Sequence, residues 1–246
     1  MTIVDALLSS CHCDVPVHDV RVGTHWTAVA VETPTGMRCG LASSLGADEC
    51  HEHGQPAVRD AGRLLEYSAA ELSRLICSYS PAEASIGLAT INALLPLDEK
   101  ACTEVNAAEV LVARGEGKRV VIVGHFPFTP RLRRVAQELW VLELRPHSED
   151  LAADRAAEFI PQADVVGITG STLVNHTFDG LITLCRPDAY VVVLGGSTPL
   201  SPLFFDLGVS AVAGTVVVDV QAVLNAVSQG ANFRQIPGKQ LLTLFR

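Results

Sequence analysis

The spacing of apolar residues divides the chain into two parts with different patterns. In the first part, it predicts a short helix at residues 2–10 and three strands at residues 19–26, 27–33 and 37–45. The second and third strands form a hairpin in this prediction, because Pro34-Thr35-Gly36 between them is a tight-turn sequence. The chain therefore begins as a helix and an antiparallel meander.

Helical periodicity follows the meander. One helical segment is predicted at residues 60–77, and another runs from Pro81 to about Leu95. Ser80 suits the N-cap of the second helix, Pro81 its first position, and Glu83 the partner of Ser80 in a capping box. Residues 1–100 are thus expected to form a small α+β domain, with residues 96–104 as the linker.

Beyond residue 101 short apolar strands alternate with helices. The strands are predicted at residues 119–123, 140–144, 164–168, 190–194 and 209–213. The helices between them begin near Pro130, Asp150, Ser171 and Pro202, and a last helix covers residues 219–228. Continuous apolar strands that alternate with helices predict a parallel, Rossmann-like sheet in residues 101–246. The fold class is therefore α/β.

Three polar loops follow strands of this predicted sheet. The richest starts at Thr169 and is expected to open a helix whose first turn is almost all hydroxyl and amide. Ligands of such sheets bind beyond the carboxyl ends of the strands, so the loops predict one cleft. The alternative is ordinary capping and turn chemistry. The expected ligand-binding residues are Gly124, Phe126, Pro127, Thr169, Gly170, Thr172, Asn175, Gly196, Ser197, Thr198 and Pro199.

The helix after Ser80 offers two further polar candidates. Glu83 is either a capping partner or a residue of the cleft. Asn92 stands among apolar residues, and a buried amide there needs partners, either the neighbouring backbone or a ligand. The two lie nine residues apart, so an ideal helix points them to opposite sides. We include both among the ligand-binding candidates.

The loop Gly124-His125-Phe126-Pro127-Phe128 lies where a dinucleotide-binding fingerprint would lie but has a single glycine. Close approach to a pyrophosphate needs several, so NAD and FAD are disfavoured as cofactors. The aromatic residues suggest a platform for a flat ligand, with His125 as a polar contact. The alternative is that Phe126 and Phe128 pack the loop onto the sheet.

Two Cys-His clusters lie in predicted loops of the first part. Thiolate and imidazole suit zinc, copper or nickel, but neither cluster has the spacing of a strong zinc signature. Exposed loop residues with free thiols are the favoured interpretation. The metal candidates are Cys11, Cys13, Cys50, His51 and His53.

Composition narrows the classes of partner. The formal net charge of −9 disfavours nucleic acid, because phosphate binding needs a basic surface. No apolar run approaches the ~20 residues of a membrane span, and the first ten residues lack the pattern of a signal peptide. We expect a cytoplasmic protein with a small-molecule ligand and no membrane partner. The composition is compatible with a homodimer.

Several segments, taken in order, match one known family. They are Ser80-Pro81-Ala82-Glu83-Ala84-Ser85-Ile86-Gly87-Leu88-Ala89 with Asn92-Ala93, Val123-Gly124-His125-Phe126-Pro127, Ile168-Thr169-Gly170-Ser171-Thr172-Leu173-Val174-Asn175, and Leu194-Gly195-Gly196-Ser197-Thr198-Pro199-Leu200, together with Asp164 and Ala213-Gly214. In these segments the chain resembles the bacterial and archaeal family called "putative heavy-metal chelation". The resemblance implies an enolase N-terminal-like domain, then a Rossmann-like domain, with the site in the cleft between them.

Three functional hypotheses remain open. The leading one is a protein of metal homeostasis that binds a small polar or anionic ligand, or a metal chelate, in the cleft. The second is an enzyme that acts on a flat heterocycle stacked on Phe126, with Glu83 or His125 as acid or base. The third is a direct metal binder that uses the Cys-His clusters. The cofactor, if any, would be a divalent or heavy metal ion or a metal chelate.

Overall fold

An antiparallel meander forms the N-terminal sheet of this computed structural model, which describes residues 1–11, 14–45, 56–147 and 149–246. Its strands pair in the order β1-β2-β3, and we call it the small sheet. The elements of this region are α1 (Ile3–Ser10), β1 (Val17–Val22), β2 (Trp26–Thr33), β3 (Gly36–Ser43), α2 (Ala69–Ser73) and α3 (Pro81–Leu94).

The remaining strands form an eight-stranded sheet, which we call the large sheet. Its strands are β4 (Cys102–Thr103), β5 (Arg119–Val123), β6 (Glu138–Glu143), β7 (Leu151–Ala152), β8 (Val165–Thr169), β9 (Tyr190–Leu194), β10 (Ala211–Val217) and β11 (Lys239–Phe245). The helices that accompany it are α4 (Ala107–Gly115), α5 (Thr129–Val135), α6 (Ala156–Phe159), α7 (Phe178–Thr183) and α8 (Val220–Ser228). The fold is therefore mixed α/β, with a small antiparallel sheet and a larger, mostly parallel one.

The order of strands in the large sheet creates a crevice. The order is β4-β11-β10-β9-β8-β5-β6-β7, and the strands from β10 to β7 are parallel. From β5 the chain adds β6 and β7 on one side and then returns to add β8, β9 and β10 on the other. The loops after β5 and β8 therefore diverge, which leaves a crevice beyond the carboxyl ends of these two neighbouring strands.

Both faces of the small sheet are covered. On one face of β2, Val29 and Val31 belong to the main apolar core, which also contains residues of α3 and of the large sheet. On the other face, Ala28 and Ala30 pack with Val223 of α8. Successive residues of a strand point to opposite faces, so burial on both sides explains why β2 is apolar without alternation. Helix α8 follows β10, so the small sheet lies between elements from distant parts of the chain.

The structure corrects several sequence-based predictions. No continuous helix begins at Ser171: residues Gly170–Leu173 form one 3-10 turn, His176 adopts a positive φ of 58°, and α7 begins only at Phe178. Thr172 and Asn175 therefore do not lie in the first turns of one continuous α-helix. The helix predicted at Asp150 is replaced by β7, a 3-10 turn and α6, and the segment at residues 60–77 is two 3-10 turns around α2. Strands β4 and β11 were not predicted.

Helix α3 lies directly against the backbone of β3 at Gly40. A Cβ atom added to Gly40 would be 2.1 Å from the carbonyl oxygen of Ala89 and 2.5 Å from the amide nitrogen of Ala93. Real side chains never approach backbone atoms so closely, so glycine is the residue that lets the helix and strand touch. This contact sets the distance between α3 and the small sheet.

We expect Gly40→Ala to lower the free energy of unfolding by about 3 kcal/mol or more, because the helix must move away from the strand. Gly180→Ala in α7 is the matched control: nothing lies within 4 Å of its added Cβ, so it should be neutral or stabilising by about 0.5–1 kcal/mol. Urea denaturation of both variants measures the difference. Equal stability of the two variants would contradict the close contact.

Candidate functional site

A cavity of about 560 Å³ occupies the crevice beyond β5 and β8. It lies within the size range of small-molecule sites, and both sheets contribute to it. We call it the cleft. Its lining is Trp26, Ser43, Leu45, Val123, Gly124, His125, Phe126, Pro127, Leu142, Glu143, Leu144, Ala153, Thr169, Ser171, Thr172, Asn175, Thr177, Leu181, Gly195, Gly196, Ser197, Phe233 and Arg234.

Hydroxyl groups from both sheets meet in the cleft. The backbone N–H of Ser43, at the end of β3, donates to Ser197 Oγ at 2.8 Å, and the two serine hydroxyls lie 3.0 Å apart. Ser171 Oγ donates to Ser43 Oγ at 3.4 Å. These three serines join the small sheet to the loops after β8 and β9. Together with Thr169 they give the cleft a patch of donors and acceptors of neutral charge.

Aromatic rings line other parts of the cleft. Phe126 lines the cleft and stacks on Phe128, with ring centroids 5.2 Å apart and planes inclined by 24°. Trp26 and Phe233 also line the cleft, and their centroids lie 4.8 Å apart. A Cβ atom on Gly196 would lie 2.5 Å from Phe233 and 2.6 Å from Trp26, so only glycine lets both rings reach the loop after β9. The cleft thus combines flat apolar surfaces with the serine hydroxyls.

The ionisable groups of the cleft are few. His125 Nδ1 lies 3.3 Å from Asp150 Oδ2, whose side chain is only 3% exposed, and the backbone N–H of His147 donates to the same oxygen. The buried carboxylate therefore orients the His125 ring, which is half exposed at the edge of the cleft. Arg234 supplies a positive charge to the lining, and Glu143 a negative one.

The structure brings many of the predicted ligand-binding residues together. Those that line the cleft are Gly124, Phe126, Pro127, Thr169, Thr172, Asn175, Gly196 and Ser197, and the candidate acid or base His125 lines it as well. Thr172 and Asn175 also have local roles, since Thr172 Oγ1 donates to the carbonyl of Thr169 at 2.6 Å and Asn175 Oδ1 accepts from the Thr177 hydroxyl at 2.7 Å. Gly170, Thr198 and Pro199 are not part of its lining.

Glu83 lies away from the cleft. Its carboxylate accepts three hydrogen bonds from Arg59, including the backbone N–H, and one from Ser78 Oγ at 2.6 Å. The Arg59 hydrogen bonds, together with the one from Ser78, hold the pKa of Glu83 at about 2, although its burial opposes this shift. Ser80 caps α3, but the Glu83 side chain does not complete the expected capping box, because Arg59 and Ser78 engage both of its oxygens.

Asn92 connects the two sheets. Its Nδ2 group donates to the carbonyl of Leu41 in β3 at 2.8 Å and to the carbonyl of Ser197 at 3.0 Å. Both acceptors are carbonyls, so the amide orientation is defined and Oδ1 faces elsewhere. The Nδ2 atom of Asn92 therefore has the backbone partners that a buried amide needs, whereas its Oδ1 atom has no hydrogen-bond partner among the described residues.

The cleft residues that lie outside the motifs found in the sequence include Trp26, Ser43, Phe233 and Arg234. No local pattern marks them, because they reach the cleft through the packing of the small sheet and of the segment after α8. One signal in the sequence points to Trp26 and Phe233. The pair Gly195-Gly196 predicts that something approaches the loop after β9 closely, and the rings of Trp26 and Phe233 are in that position.

Comparison with known proteins agrees with the sequence motifs. A family model, DUF364, described as "putative heavy-metal chelation", matches residues 106–245, and a second model with the same description, DUF4213, matches residues 4–95. The chain belongs to this family. An uncharacterised protein of Methanocaldococcus jannaschii is 26% identical over 225 residues, which cover 89% of this chain and 85% of that protein.

Two crystal structures of family members with unknown function share the fold. The protein from Desulfitobacterium hafniense has a TM-score of 0.80 at 23% identity and covers 99% of this chain and 97% of its own. The protein from Pyrococcus horikoshii has a TM-score of 0.82 at 21% identity and covers 99% and 98%. Within the described residues, none of the helices combines the length and hydropathy needed to cross a bilayer.

The family description suggests a metal site, so the arrangement of the described metal-ligating side chains matters. Among them, no group of three or more His, Cys, Asp or Glu residues is arranged to hold an ion. The part of the cleft lining that the structure describes offers His125 and Glu143 but no thiol, so these donors do not fit a bare heavy-metal ion. Cys11 lies just after α1, and Cys13, Cys50, His51 and His53 lie outside the described residues.

The lowered pKa of Glu83 predicts a pH-dependent stability. The carboxylate has a folded pKa of about 2 against an ordinary value of 4.5, so it stabilises the fold above pH 4.5 and this stabilisation is lost as pH falls towards 2. The difference corresponds to about 3 kcal/mol. Glu83→Gln should therefore be less stable than the wild type at pH 7, and their stabilities should converge in acid.

Glu66→Gln is the control, because the ion pair of Glu66 with Arg63 is exposed and contributes about 1 kcal/mol at most. Guanidinium denaturation between pH 7 and pH 3 measures all three proteins. A difference between wild type and Glu83→Gln that stays constant with pH would refute the assignment.

Proposed function

We propose that the protein binds a small organic molecule in the cleft, one with a flat apolar body and a polar or anionic end. The observation that carries this proposal is the cleft itself, in which stacked aromatic rings and a patch of serine hydroxyls line one cavity at the point where the strand order reverses. Crevices at this position are the usual ligand sites of open parallel sheets. The order β7-β6-β5-β8-β9-β10 also supports the Rossmann-like interpretation of residues 101–246.

The two ends of the ligand follow from the two kinds of lining. The rings of Phe126, Trp26 and Phe233 favour a planar group, because stacked aromatic contacts add to the burial of apolar surface. The hydroxyls of Ser43, Ser171 and Ser197 suit a carbonyl, hydroxyl or anionic oxygen. Arg234 adds the positive charge that an anionic end requires.

A metal would enter this site as cargo of the organic ligand. The family description indicates metal chelation, whereas the described residues of the cleft lining include none of the thiolates that hold soft metal ions directly. An organic chelate reconciles the two, since its own donor atoms hold the ion and the protein recognises the organic surface. A role in metal homeostasis follows from this proposal.

We expect Phe126→Leu to weaken the binding of 8-anilinonaphthalene-1-sulfonate, a flat anionic probe, by about three- to tenfold, because the stacking surface is lost while apolar volume remains. Phe128→Leu is the control, since Phe128 supports Phe126 from behind but does not line the cleft. Fluorescence titration gives both dissociation constants. Equal affinities of the two variants would place the probe outside the cleft.

One observation favours a second candidate function, that of an enzyme acting on a flat heterocycle. The pair formed by His125 and the buried Asp150 at the edge of the cleft is an arrangement found in general acid–base catalysis. Glu83 is less suited to that role, because its carboxylate is held ionised by Arg59 and lies away from the cleft.

The enzyme hypothesis predicts that wild-type protein depletes at least one compound of a small-molecule cell extract, as followed by mass spectrometry, and that His125→Gln does not. His147→Gln is the matched control, because this ring lies 5.8 Å from that of His125 but does not line the cleft. Extracts that remain identical with wild type and His125→Gln would leave ligand binding without conversion as the function.

A further inference from the structure

An open groove of about 410 Å³ lies beside the cleft. Helix α5 forms one of its walls, and the loop after β5 together with the connection from β6 to β7 forms the other. The side chain of His125 lines both the groove and the cleft, so the two meet at this residue. We call it the arginine groove. Its lining is His125, Thr129, Pro130, Arg133, Arg134, His147, Glu149 and Asp150.

Helix α5 concentrates positive charge in a protein whose formal net charge is −9. Three arginines lie within its seven residues. Arg133 and Arg134 line the groove. Arg131 does not: its two terminal nitrogens donate to both carboxylate oxygens of Glu109, at 2.8 and 2.9 Å. The groove therefore receives two of the three charges of this helix.

Both lining arginines can take up an anion. The Arg134 side chain is exposed, and it has no ion-pair or hydrogen-bond partner within the residues that the structure describes. Arg133 Nη2 lies 3.5 Å from Glu149 Oε2, farther than the ~2.7–2.9 Å of a charge-assisted hydrogen bond. The Glu149 side chain is 74% exposed, and exposed ion pairs of this kind contribute little. An anion of higher charge can therefore replace Glu149 at Arg133.

The opposite wall presents two histidines held by one buried carboxylate. Asp150 Oδ2 accepts the backbone N–H of His147 at 3.2 Å and lies 3.3 Å from His125 Nδ1. The two imidazole rings lie 5.8 Å apart at an angle of 82°. Because Nδ1 of His125 is engaged by Asp150, Nε2 is the ring nitrogen left for a hydrogen bond to a ligand.

This arrangement favours a phosphate group over a carboxylate. A carboxylate has two oxygens in one plane, and a single guanidinium satisfies both of them. A phosphate group carries up to two negative charges, and its oxygens point in several directions. It therefore matches two guanidinium groups on one wall and imidazole groups on the wall that faces them.

We propose that the arginine groove binds a phosphate group. Arg133 and Arg134 pair with its oxygens from α5, and His125 and His147 contact it from the opposite wall. The group is either free phosphate or the phosphate of an organic ester whose flat part reaches the cleft past His125. The site does not depend on the ligand proposed for the cleft, because neither of its arginines lines the cleft.

The test is an NMR titration of the whole protein with inorganic phosphate at pH 7 and constant ionic strength. It follows the histidine ring protons, and His125→Gln and His147→Gln assign the two signals of the groove. We expect both signals to shift with a dissociation constant below about 1 mM, and acetate to bind at least about tenfold more weakly. No phosphate binding at that level, or shifts confined to other histidines, would overturn the proposal.

Arg134→Gln should weaken phosphate binding about tenfold, because it removes a guanidinium that the ligand pairs with. Arg131→Gln is the matched control: it removes the same charge from the same helix but at a residue outside the groove, so it should change the dissociation constant less than about twofold. Circular dichroism establishes that both variants are folded. Equal weakening in the two variants would mean general attraction to α5 and would refute the site.

Adenosine monophosphate distinguishes the two sources of phosphate. If the group belongs to an ester that reaches the cleft, this probe binds more tightly than inorganic phosphate, and Phe126→Leu weakens the probe but not phosphate. Equal affinities that Phe126→Leu leaves unchanged identify free phosphate as the occupant. The naphthalene probe with Phe126→Leu tests the cleft alone, and inorganic phosphate with Arg134→Gln tests the groove alone, so failure of one proposal is distinct from failure of the other.

Discussion

The contact between α3 and β3 at Gly40 determines where the walls of the cleft lie. It holds the helix against the strand without an intervening side chain, so Asn92, three turns along α3, reaches the carbonyl of Leu41 in the same strand. The same amide group reaches the carbonyl of Ser197 in the loop after β9 of the large sheet. Two residues further along β3, Ser43 bonds to the side chain of Ser197. One close backbone approach thus positions the end of the small sheet at the carboxyl end of β9.

This arrangement gives each sheet a distinct contribution to the cleft. In the large sheet, the loops after β5 and β8 diverge. This divergence follows from the strand order alone and does not depend on the small sheet. The small sheet supplies Trp26 and Ser43, which convert an open edge into an enclosed cavity with aromatic and hydroxyl surfaces. Helix α8 covers the outer face of the small sheet, so this sheet cannot move away from the cleft without exposing Ala28 and Ala30.

Much of the fold could be predicted from sequence, for identifiable reasons. Strands β5, β8 and β9 are continuous apolar runs, and residues such as Ser80 and Pro81 mark a helix start in any context. Strand β11 was missed because it pairs antiparallel with β10, outside the strand–helix alternation that identified the others. The segment after Gly170 was predicted as a helix, but the Thr172 hydroxyl and the Asn175 amide bind nearby backbone and side-chain groups, and His176 turns the chain.

The site could be predicted only in part. A parallel sheet places the loops after β5, β8 and β9 together, so Gly124, Thr169 and Ser197 follow from the strand pattern. The position of Glu83 depends on Arg59, which lies in a loop 24 residues earlier and forms its bonds only in the folded chain. The contributions of Trp26 and Phe233 likewise depend on tertiary packing.

Because Trp26 lines the cleft, its fluorescence can report whether the cleft is occupied. The chain has two tryptophans, and Trp26 alone lines the cleft, whereas Trp140 in β6 packs against Phe159 with ring centroids 5.2 Å apart. Indole emission depends on the polarity and the quenchers around the ring. A molecule that displaces solvent from Trp26 therefore changes the emission of Trp26. The emission of Trp140 stays constant and serves as an internal reference. The protein carries its own fluorophore for following occupancy, with no label attached.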